Sequence, residues 1–467
     1  MDKKDLLKTR ELKHKKNIEE ALSFINKIVD CMSFVETNDY LTYTNIADEV
    51  SDAIVTGYAT VRSCPVVIVA QNSTIKQGGF SKATEKKLTQ AIVSACSKGI
   101  PFIFAIDSYG ANVSEGVEIL NSYAESLFKA AYLNTCPFIT IIKGYALGNM
   151  ALFATLSDVV ITLDESVTAF NSPSVILSSE DKPYKPAVYF GNTTMVKNGF
   201  STFSVKKEAL AETIGKLVEY LPLNCEKLSP VCEADISVYN ASVDDIEGMR
   251  GAKIIEAITD SDSYIEFSKE YATDISCGLC KIGGQTVAIA ASNKRSGLLE
   301  GKSVRKLTRF LSFSNKMSLP FVNLVDCEGI ESSIAVEQSE LWYDLRNLYN
   351  ELDANCPRLA IIIGSAIATG YTIMASSKVF DSVLAWSTAQ IAPMTASAGG
   401  FVIYGDNVKK ATDVFASREE SQTAYKDIDS DAYNAAVFGL VTKVINAEDT
   451  KQYLLSQLQM ITVNEKR

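Results

Sequence analysis

The chain has 467 residues, 47% of them hydrophobic and 22% charged, with a formal net charge of −11. That length carries two domains with substantial cores, and the composition is that of an ordinary soluble globular protein. The acidic balance excludes a general nucleic-acid binder, which carries a basic excess.

Residues 1–35 read as a helix. The opening, MDKKDLLKTRELKHKKNIEEAL, is too charged for a secretory signal. It reads as a solvated amphipathic helix that packs Leu6, Leu7, Leu12 and Ile18 onto the body. No uninterrupted apolar run approaches the ~18 residues of a membrane span, so membrane association would come through a partner. Ten cysteines are scattered along the chain. Without an export signal they imply a reduced, cytoplasmic setting. Cys277 and Cys280 form one CxxC, but no second pair of ligands accompanies them, and no metal site is expected. The one histidine, His14, lies in the charged leader. A Ser-His-Asp triad, a Cys-His pair or a His-ligated metal in the body of the chain is therefore excluded.

Downstream, Gly57–Gly79 reads as a β-hairpin with Arg62-Ser63 in its turn. Ser81 to Lys98 has helical spacing, and PFIFAID (Pro101–Asp107) is a buried strand. A polar, Gly-bearing loop follows, then a helix from Val117 to Leu133. Phe138 to Ile142 is a buried strand broken by Gly144 and Gly148, with a helix starting at Asn149. Asp158–Thr162 and Ser166–Phe170 are short strands. The order then repeats. GLCKIGGQTVAIAAS (Gly278–Ser292) parallels the first hairpin, with Gly-Gly in the same turn. PFVNLVDCEG (Pro320–Gly329) parallels PFIFAIDSYG, with Asp107 and Asp326 lying 219 residues apart. The Cys-Pro strand-turn-helix units begin at Cys136 and Cys356, 220 residues apart, and Asp158 and Asp381 open equivalent strands. Near-constant spacing over four elements indicates an internal duplication. The resulting division is a helix at 1–35, an N-terminal domain at 36–225, a linker at 226–245 and a C-terminal domain at 246–467. Alternating strands and helices make both copies α/β with a parallel component.

Each copy brings two loops to one edge of its sheet. One follows the Asp-bearing strand and the other follows the Cys-Pro strand. Backbone N–H groups from such a pair can converge on one oxygen as an oxyanion hole. Both copies keep small residues at the second loop, Gly148-Asn149 and Ala368-Thr369-Gly370. The alternative is that the glycines serve only tight turns and close packing. Asp107 and Asp326, at strand ends, read as loop caps rather than bases. Tyr145, Tyr371 and Trp386 read as packing residues beside the turns. Thr369 has no histidine to activate it as a nucleophile.

These motifs resemble the carboxyltransferase family of biotin-dependent enzymes, over roughly residues 20 to 460. The resemblance rests on DSYGANVSEGV (Asp107–Val117), KGYALGNM, IATGYTIMAS (Ile367–Ser376) and LAWSTAQIAPMT (Leu384–Thr395), with VTGYATV and FGLVTKVI in their expected places. It implies two tandem crotonase-like domains and a reaction between carboxybiotin and a small acyl-CoA. In that reaction biotin acts as the base, and the protein stabilises the biotin and acyl-CoA enolates in two oxyanion holes. By the resemblance, the N-terminal half cradles the thioester with Gly110 or Ala111 and with Gly148 and Asn149. The C-terminal half cradles the biotin ureido oxygen with Gly329, Thr369 and Gly370. Asn112, Gly144, Ala368, Tyr371 and Thr372 are the flanking binding positions. The implied partners are a biotin-carrier protein and either a biotin carboxylase or a membrane decarboxylase subunit. The implied assembly is a homodimer or a trimer of dimers, in which facing halves come from different subunits. The chain departs from the family pattern at Tyr109, Asn112, Asn149, Ser172-Pro173, Asn192–Thr194 and Thr372. Those departures admit a non-catalytic scaffold as the alternative. A hydratase or isomerase would need carboxylates beside the Gly148 turn, where the sequence has none.

Overall fold

The computed structural model describes residues 3–43, 51–234, 236–352 and 356–462. They form two compact units, 1–230 and 231–467. The first is built on β1 (Val35–Thr37), β2 (Ile54–Val61), β3 (Cys64–Gln71), β4 (Phe102–Ser108), β5 (Phe138–Leu147), β6 (Val159–Leu163), β7 (Val167–Ala169) and β8 (Phe203–Val205). The second is built on β9 (Ile265–Phe267), β10 (Ile275–Ile282), β11 (Gln285–Ser292), β12 (Phe321–Cys327), β13 (Arg358–Ile367), β14 (Ser382–Trp386), β15 (Gln390–Ala392) and β16 (Lys443–Ile445). The first sheet runs β1-β2-β3-β4-β5-β6-β8, with β7 paired to β5; the second runs β9-β10-β11-β12-β13-β14-β16, with β15 paired to β13. The two orders are the same, so the α/β class and the tandem crotonase-like duplication hold.

The first three strands of each sheet are antiparallel and the rest pair in parallel. Helices Lys82–Lys98 and Ile119–Ala130 cover one face of the first sheet, and Leu88, Ile92, Phe102, Phe104, Phe138 and Phe153 are among the residues of the core between them. Ser81 caps the earlier helix by accepting from the Thr84 amide, as Ser at that position favours.

The hairpin turns use backbone that β-strand twist demands, with both turn residues left-handed. In β10–β11 these are Gly283 and Gly284, at φ 57° and 79°; in β2–β3 they are Arg62 and Ser63, at φ 48° and 65°. An aspartate holds each turn. Asp30 accepts from the Arg62 and Ser63 amides at 2.9 and 2.8 Å, and Asp260 accepts from the Gly283 and Gly284 amides at 3.1 and 2.8 Å.

Two expectations are corrected. The N-terminal helix ends at Ile25 rather than near residue 35, and it turns a different face inward. His14, Ile18, Ala21 and Ile25 are buried, whereas Leu7 and Leu12 are exposed, and Leu6 lies outside the described side chains. Residues 14, 18, 21 and 25 form one helical stripe, which the surrounding charges conceal in the sequence. Gly144 does not end its strand either: β5 continues through it to Leu147.

The reason is a clamp repeated in both units. Between the pairs Ile106–Ile142 and Ser108–Ala146, β4 has one residue where β5 has three, and the same irregularity lies between Val325–Ile362 and Cys327–Ala366. The single residue is Asp107 or Asp326. Asp107 Oδ1 accepts from the Tyr145 amide at 3.0 Å, and Asp326 Oδ1 accepts from the Ser365 amide at 2.8 Å. Glycine precedes each of those amides because a β-carbon on Gly144 would sit 2.2 Å from the Asp107 carboxylate, and one on Gly364 would sit 2.3 Å from that of Asp326.

Gly364→Ala should cost about 1–3 kcal/mol in chemical denaturation. Adding Asp326→Ala should cost less than the sum of the single losses, because the clash partner is gone. A second expectation concerns pH. The Thr60 hydroxyl, followed by the Ser63 and Arg62 amides, holds the Asp30 carboxyl below its ordinary value. A depressed carboxylate stabilises the fold above its unfolded pKa, and that contribution is lost as pH falls through the folded value. Asp30→Asn should therefore destabilise the protein near neutral pH, with the gap to the wild type closing below about pH 4.

Candidate active site

The clamps deliver two loops per unit to the carboxyl end of the parallel strands. In the second unit these are the Cys327–Ile330 turn and the start of helix Thr369–Met374. Gly329 adopts φ 94°, and a β-carbon there would stand 3.8 Å from the amide nitrogens of both Thr369 and Gly370 and 3.1 Å from the Ile367 carbonyl. Glycine thus keeps open a hollow walled by first-turn amides, which have no partner within their own helix. Gly370 must also lack a side chain, since its β-carbon would lie 2.5 Å from the Cys327 carbonyl. The Gly329 amide donates to Cys327 Sγ at 3.4 Å. Burial pushes that thiol up to about 11, so the sulfur is neutral at physiological pH.

The first unit repeats the arrangement more openly. Gly110 has φ 111°, and a β-carbon on it would meet only the Leu147 carbonyl, at 3.9 Å. Its amide donates to Ser108 Oγ at 3.2 Å. The flanking Asn112 amide donates to the Phe80 carbonyl at 2.8 Å and the Phe80 amide donates to the Gly110 carbonyl at 2.8 Å, which stakes the loop on either side of Ala111. Helix Asn149–Thr155 begins with its first carbonyl acceptor at Gly148, which bonds the Ala151 amide at 3.0 Å. The Asn149 and Met150 amides remain outside that ladder.

Gly148 and Ala368 are the matching turn residues, at φ 62°, ψ −133° and φ 48°, ψ −116°. Their own amides are committed, donating to the Ala169 and Ala392 carbonyls at 3.0 and 2.9 Å. They contribute backbone shape, and the available donors belong to the residues after them. The residue chemistry alone did not point to Met150, or to Ile330 beside Gly329. Ile330 is the counterpart of Ala111 at the spacing of the duplication, which was the one signal that could have found it.

The other candidate positions lie around this framework. Asn112 is tied into its own loop, donating to Glu115 Oε1 at 3.1 Å and accepting from the Ser114 hydroxyl at 2.7 Å. Gly144 belongs to the Asp107 clamp. Tyr371 donates to the Leu440 carbonyl at 2.8 Å, and Thr372 is exposed on the same helix. Tyr109 stacks on Tyr145 with ring centroids 4.3 Å apart. Burial raises the Tyr109 phenol to about 12, with Tyr145 and Asp107 adding to the shift, so it stays protonated. The pair forms a flat aromatic rim beside the Gly110 loop. Trp386 is fully buried and donates to Thr450 Oγ1 at 2.8 Å. Cys277 and Cys280 are buried in β10; burial holds the Cys277 thiol up at about 12 and raises Cys280 in the same direction. Among the described residues no group of three or more His, Cys, Asp or Glu side chains could hold a metal, and no helix is long and apolar enough to cross a membrane.

Comparison with known proteins fits this geometry. The sequence profile of the carboxyl transferase domain matches residues 13–467. The chain belongs to the carboxyl transferase family. It is similar to the methylmalonyl-CoA carboxyltransferase 12S subunit of Propionibacterium freudenreichii subsp. shermanii, with 28% identity over 470 residues, covering 96% of this chain and 90% of the relative. It is 25% identical over 477 residues to the methylmalonyl-CoA decarboxylase subunit alpha of Propionigenium modestum, covering 97% and 92% of the two chains. Among solved structures, the transcarboxylase 12S hexamer with methylmalonyl-coenzyme A and methylmalonic acid bound superposes with a TM-score of 0.90 at 25% identity, over 98% of this chain and 94% of that one. The family fold therefore spans both units.

Alanine at 368 occupies backbone that this family member fills with glycine at 148. Holding an L-residue there costs roughly 1–3 kcal/mol. Ala368→Gly should raise stability by about 1 kcal/mol after the added freedom of the unfolded chain is offset. The change is read as a higher denaturation midpoint at constant slope.

Proposed function

We propose that this chain is the carboxyltransferase subunit of a biotin-dependent enzyme, moving a carboxyl group between carboxybiotin and a small acyl-CoA. Family membership supports the reaction class. The observation that carries the mechanism is the hollow at Gly329, where glycine leaves space bounded by the Thr369 and Gly370 amides. That space fits a ureido oxygen, a neutral acceptor that gains negative charge when its carboxyl group departs. When bound, carboxybiotin supplies the carbon dioxide and the base. The residues of this chain then have a restricted task. In the C-terminal unit, the Thr369 and Gly370 amides, with that of Ile330 after the Gly329 turn, hold the ureido oxygen. In the N-terminal unit, the Ala111 and Asn149 amides hold the thioester oxygen, with Met150 beside them. Fixed backbone dipoles do this without reorganising as charge develops. No imidazole is needed, and the one histidine is occupied elsewhere, 2.8 Å from Ser51 Oγ and 3.0 Å from Glu36 Oε2.

By the same reading, the partners are a biotin-carrier protein and a biotin carboxylase or membrane decarboxylase subunit. The assembly is a homodimer or a trimer of dimers, and the setting is cytoplasmic. Asn149 is compatible with activity, because a backbone amide does not depend on the side chain it precedes.

Biotin-dependent loss of the carboxyl group from methylmalonyl-CoA or malonyl-CoA, followed alongside calorimetric titration of acetyl-, propionyl- and methylmalonyl-CoA, tests the proposal. Turnover with free biotin is expected. No turnover and no binding of any thioester would make the chain a non-catalytic member of its family. Gly329→Ala should lower kcat by about a hundred- to a thousandfold while leaving acyl-CoA binding unchanged. Loss of acyl-CoA binding instead would reverse the assignment of the two halves.

A further inference from the structure

The correspondence between the units extends upstream of the hairpins. Glu36 on β1 pairs with Gly57 of β2, and Glu266 on β9 pairs with Gly278 of β10, so the two glutamates hold equivalent positions. In the first unit the N-terminal helix closes the surface above Glu36. His14 Nε2 lies 3.0 Å from Glu36 Oε2, and Asn72 Nδ2 donates to the Asn17 carbonyl at 2.7 Å. In the second unit, among the described residues, the segment before helix Ala252–Ile258 holds only the short turns Ile236–Asn240 and Ile246–Gly248. Glu266 and Asn293, the latter just past β11 as Asn72 is just past β3, instead line a cavity of about 540 Å³.

Among the described residues, Arg250, Lys253, Lys269 and Arg295 line that cavity with one carboxylate, Glu266, and Arg250 is also paired with Asp326, which leaves three cations against one anion. This cationic cluster stands in a chain of net charge −11. Both guanidinium groups are fixed in place. Arg250 donates to Asp326 Oδ2 at 2.8 Å and to the Glu247 and Met249 carbonyls at 2.9 and 2.6 Å, and Arg295 donates to the Glu247 carbonyl at 3.2 Å. Glu266 accepts from the Ser276 hydroxyl at 2.7 Å. Among the described residues no large apolar side chain lines the space, so they offer no hydrophobic anchor of the kind a protein partner uses. Gly329, Thr369 and Gly370 lie outside its lining.

We propose that this cavity is a binding site for a phosphate-bearing ligand, held through its diphosphate group. Arg295 can present its guanidinium fork to phosphate oxygens, and Lys253 and Lys269 add mobile point charges, while Arg250, paired with Asp326, frames the wall. A free nucleoside diphosphate and the 3′-phospho-ADP end of a coenzyme A ester share this chemistry.

Calorimetric titration of inorganic pyrophosphate, ADP and coenzyme A into the full chain tests the site. Pyrophosphate should bind the wild type at low ionic strength and weaken as salt screens the site. Lys253→Glu combined with Lys269→Glu should weaken it by about tenfold or more at an unchanged thermal midpoint, whereas the paired Lys→Arg variant should retain it. Absence of pyrophosphate binding to the wild type, or equal affinity in the glutamate variant, overturns the proposal. The coenzyme A arm separates the two sources. Weakening by the same glutamates assigns the site to the 3′-phospho-ADP end, and unchanged coenzyme A affinity assigns it to a free nucleotide. None of these readouts needs carboxyl transfer, so the site and the catalytic proposal stand or fall separately.

Discussion

One carboxylate per unit sets the geometry that the rest of the structure uses. Asp107 and Asp326 each stand alone on a strand opposite three residues of the next, and each binds an amide that the mismatch would otherwise leave unpaired. An unpaired buried N–H costs on the order of 1–3 kcal/mol, so the carboxylate makes the irregularity tolerable, and glycine at 144 or 364 gives it room. The irregularity in turn ends each strand next to its neighbour's loop. Without it, the Gly329 turn and the Thr369 amide would not share a hollow. In the second unit the aspartate also binds the Ser296 amide at 3.0 Å and Arg250 at 2.8 Å, so the same group organises the loop after β11 and the arginine ahead of helix Ala252–Ile258.

Two copies of one scaffold have thus been specialised by their edges. Sheet order, hairpin aspartates and strand-end clamps are shared, whereas the turns, the loop residues and the covering helix differ. Gly110 stands in the open while Gly329 faces two amides closely. Lys143 on β5 is buried in an ion pair with Glu20 of the N-terminal helix at 2.6 Å, and its counterpart in β13, Ile363, is apolar. Among the described residues, only the first unit carries a 23-residue helix over its first strands.

Much of this was legible in the sequence because it depends on local pattern. Apolar runs gave the strands, Gly-Gly and Arg-Ser gave the hairpin turns, and the spacing of Asp107 with Asp326 and Cys136 with Cys356 gave the duplication. What stayed hidden depends on distant partners. Gly144 looks like a strand break until the Asp107 carboxylate is seen against it. The inward face of the N-terminal helix runs through His14, whose burial rests on Glu36 and Ser51 rather than on its own hydrophobicity. Backbone donors such as those of Met150 and Ile330 leave no mark in residue type, so a site made of amides is read from turns and never from side chains. The cations around Glu266 are spread from Arg250 to Arg295 and form no motif.

Alanine at 368 and glycine at 148 reach one backbone shape by opposite routes. Ala368 is held against its own preference by the Ala392 carbonyl beside β15 and by the start of the following helix. Gly148 is pinned by the matching contact to the Ala169 carbonyl, but it adopts that backbone without steric strain. In the C-terminal copy the cost of the turn is therefore carried as strain in the folded chain, and in the N-terminal copy as freedom given up by the unfolded one. The residue at the turn can thus change between the copies while the amides that follow it keep their place.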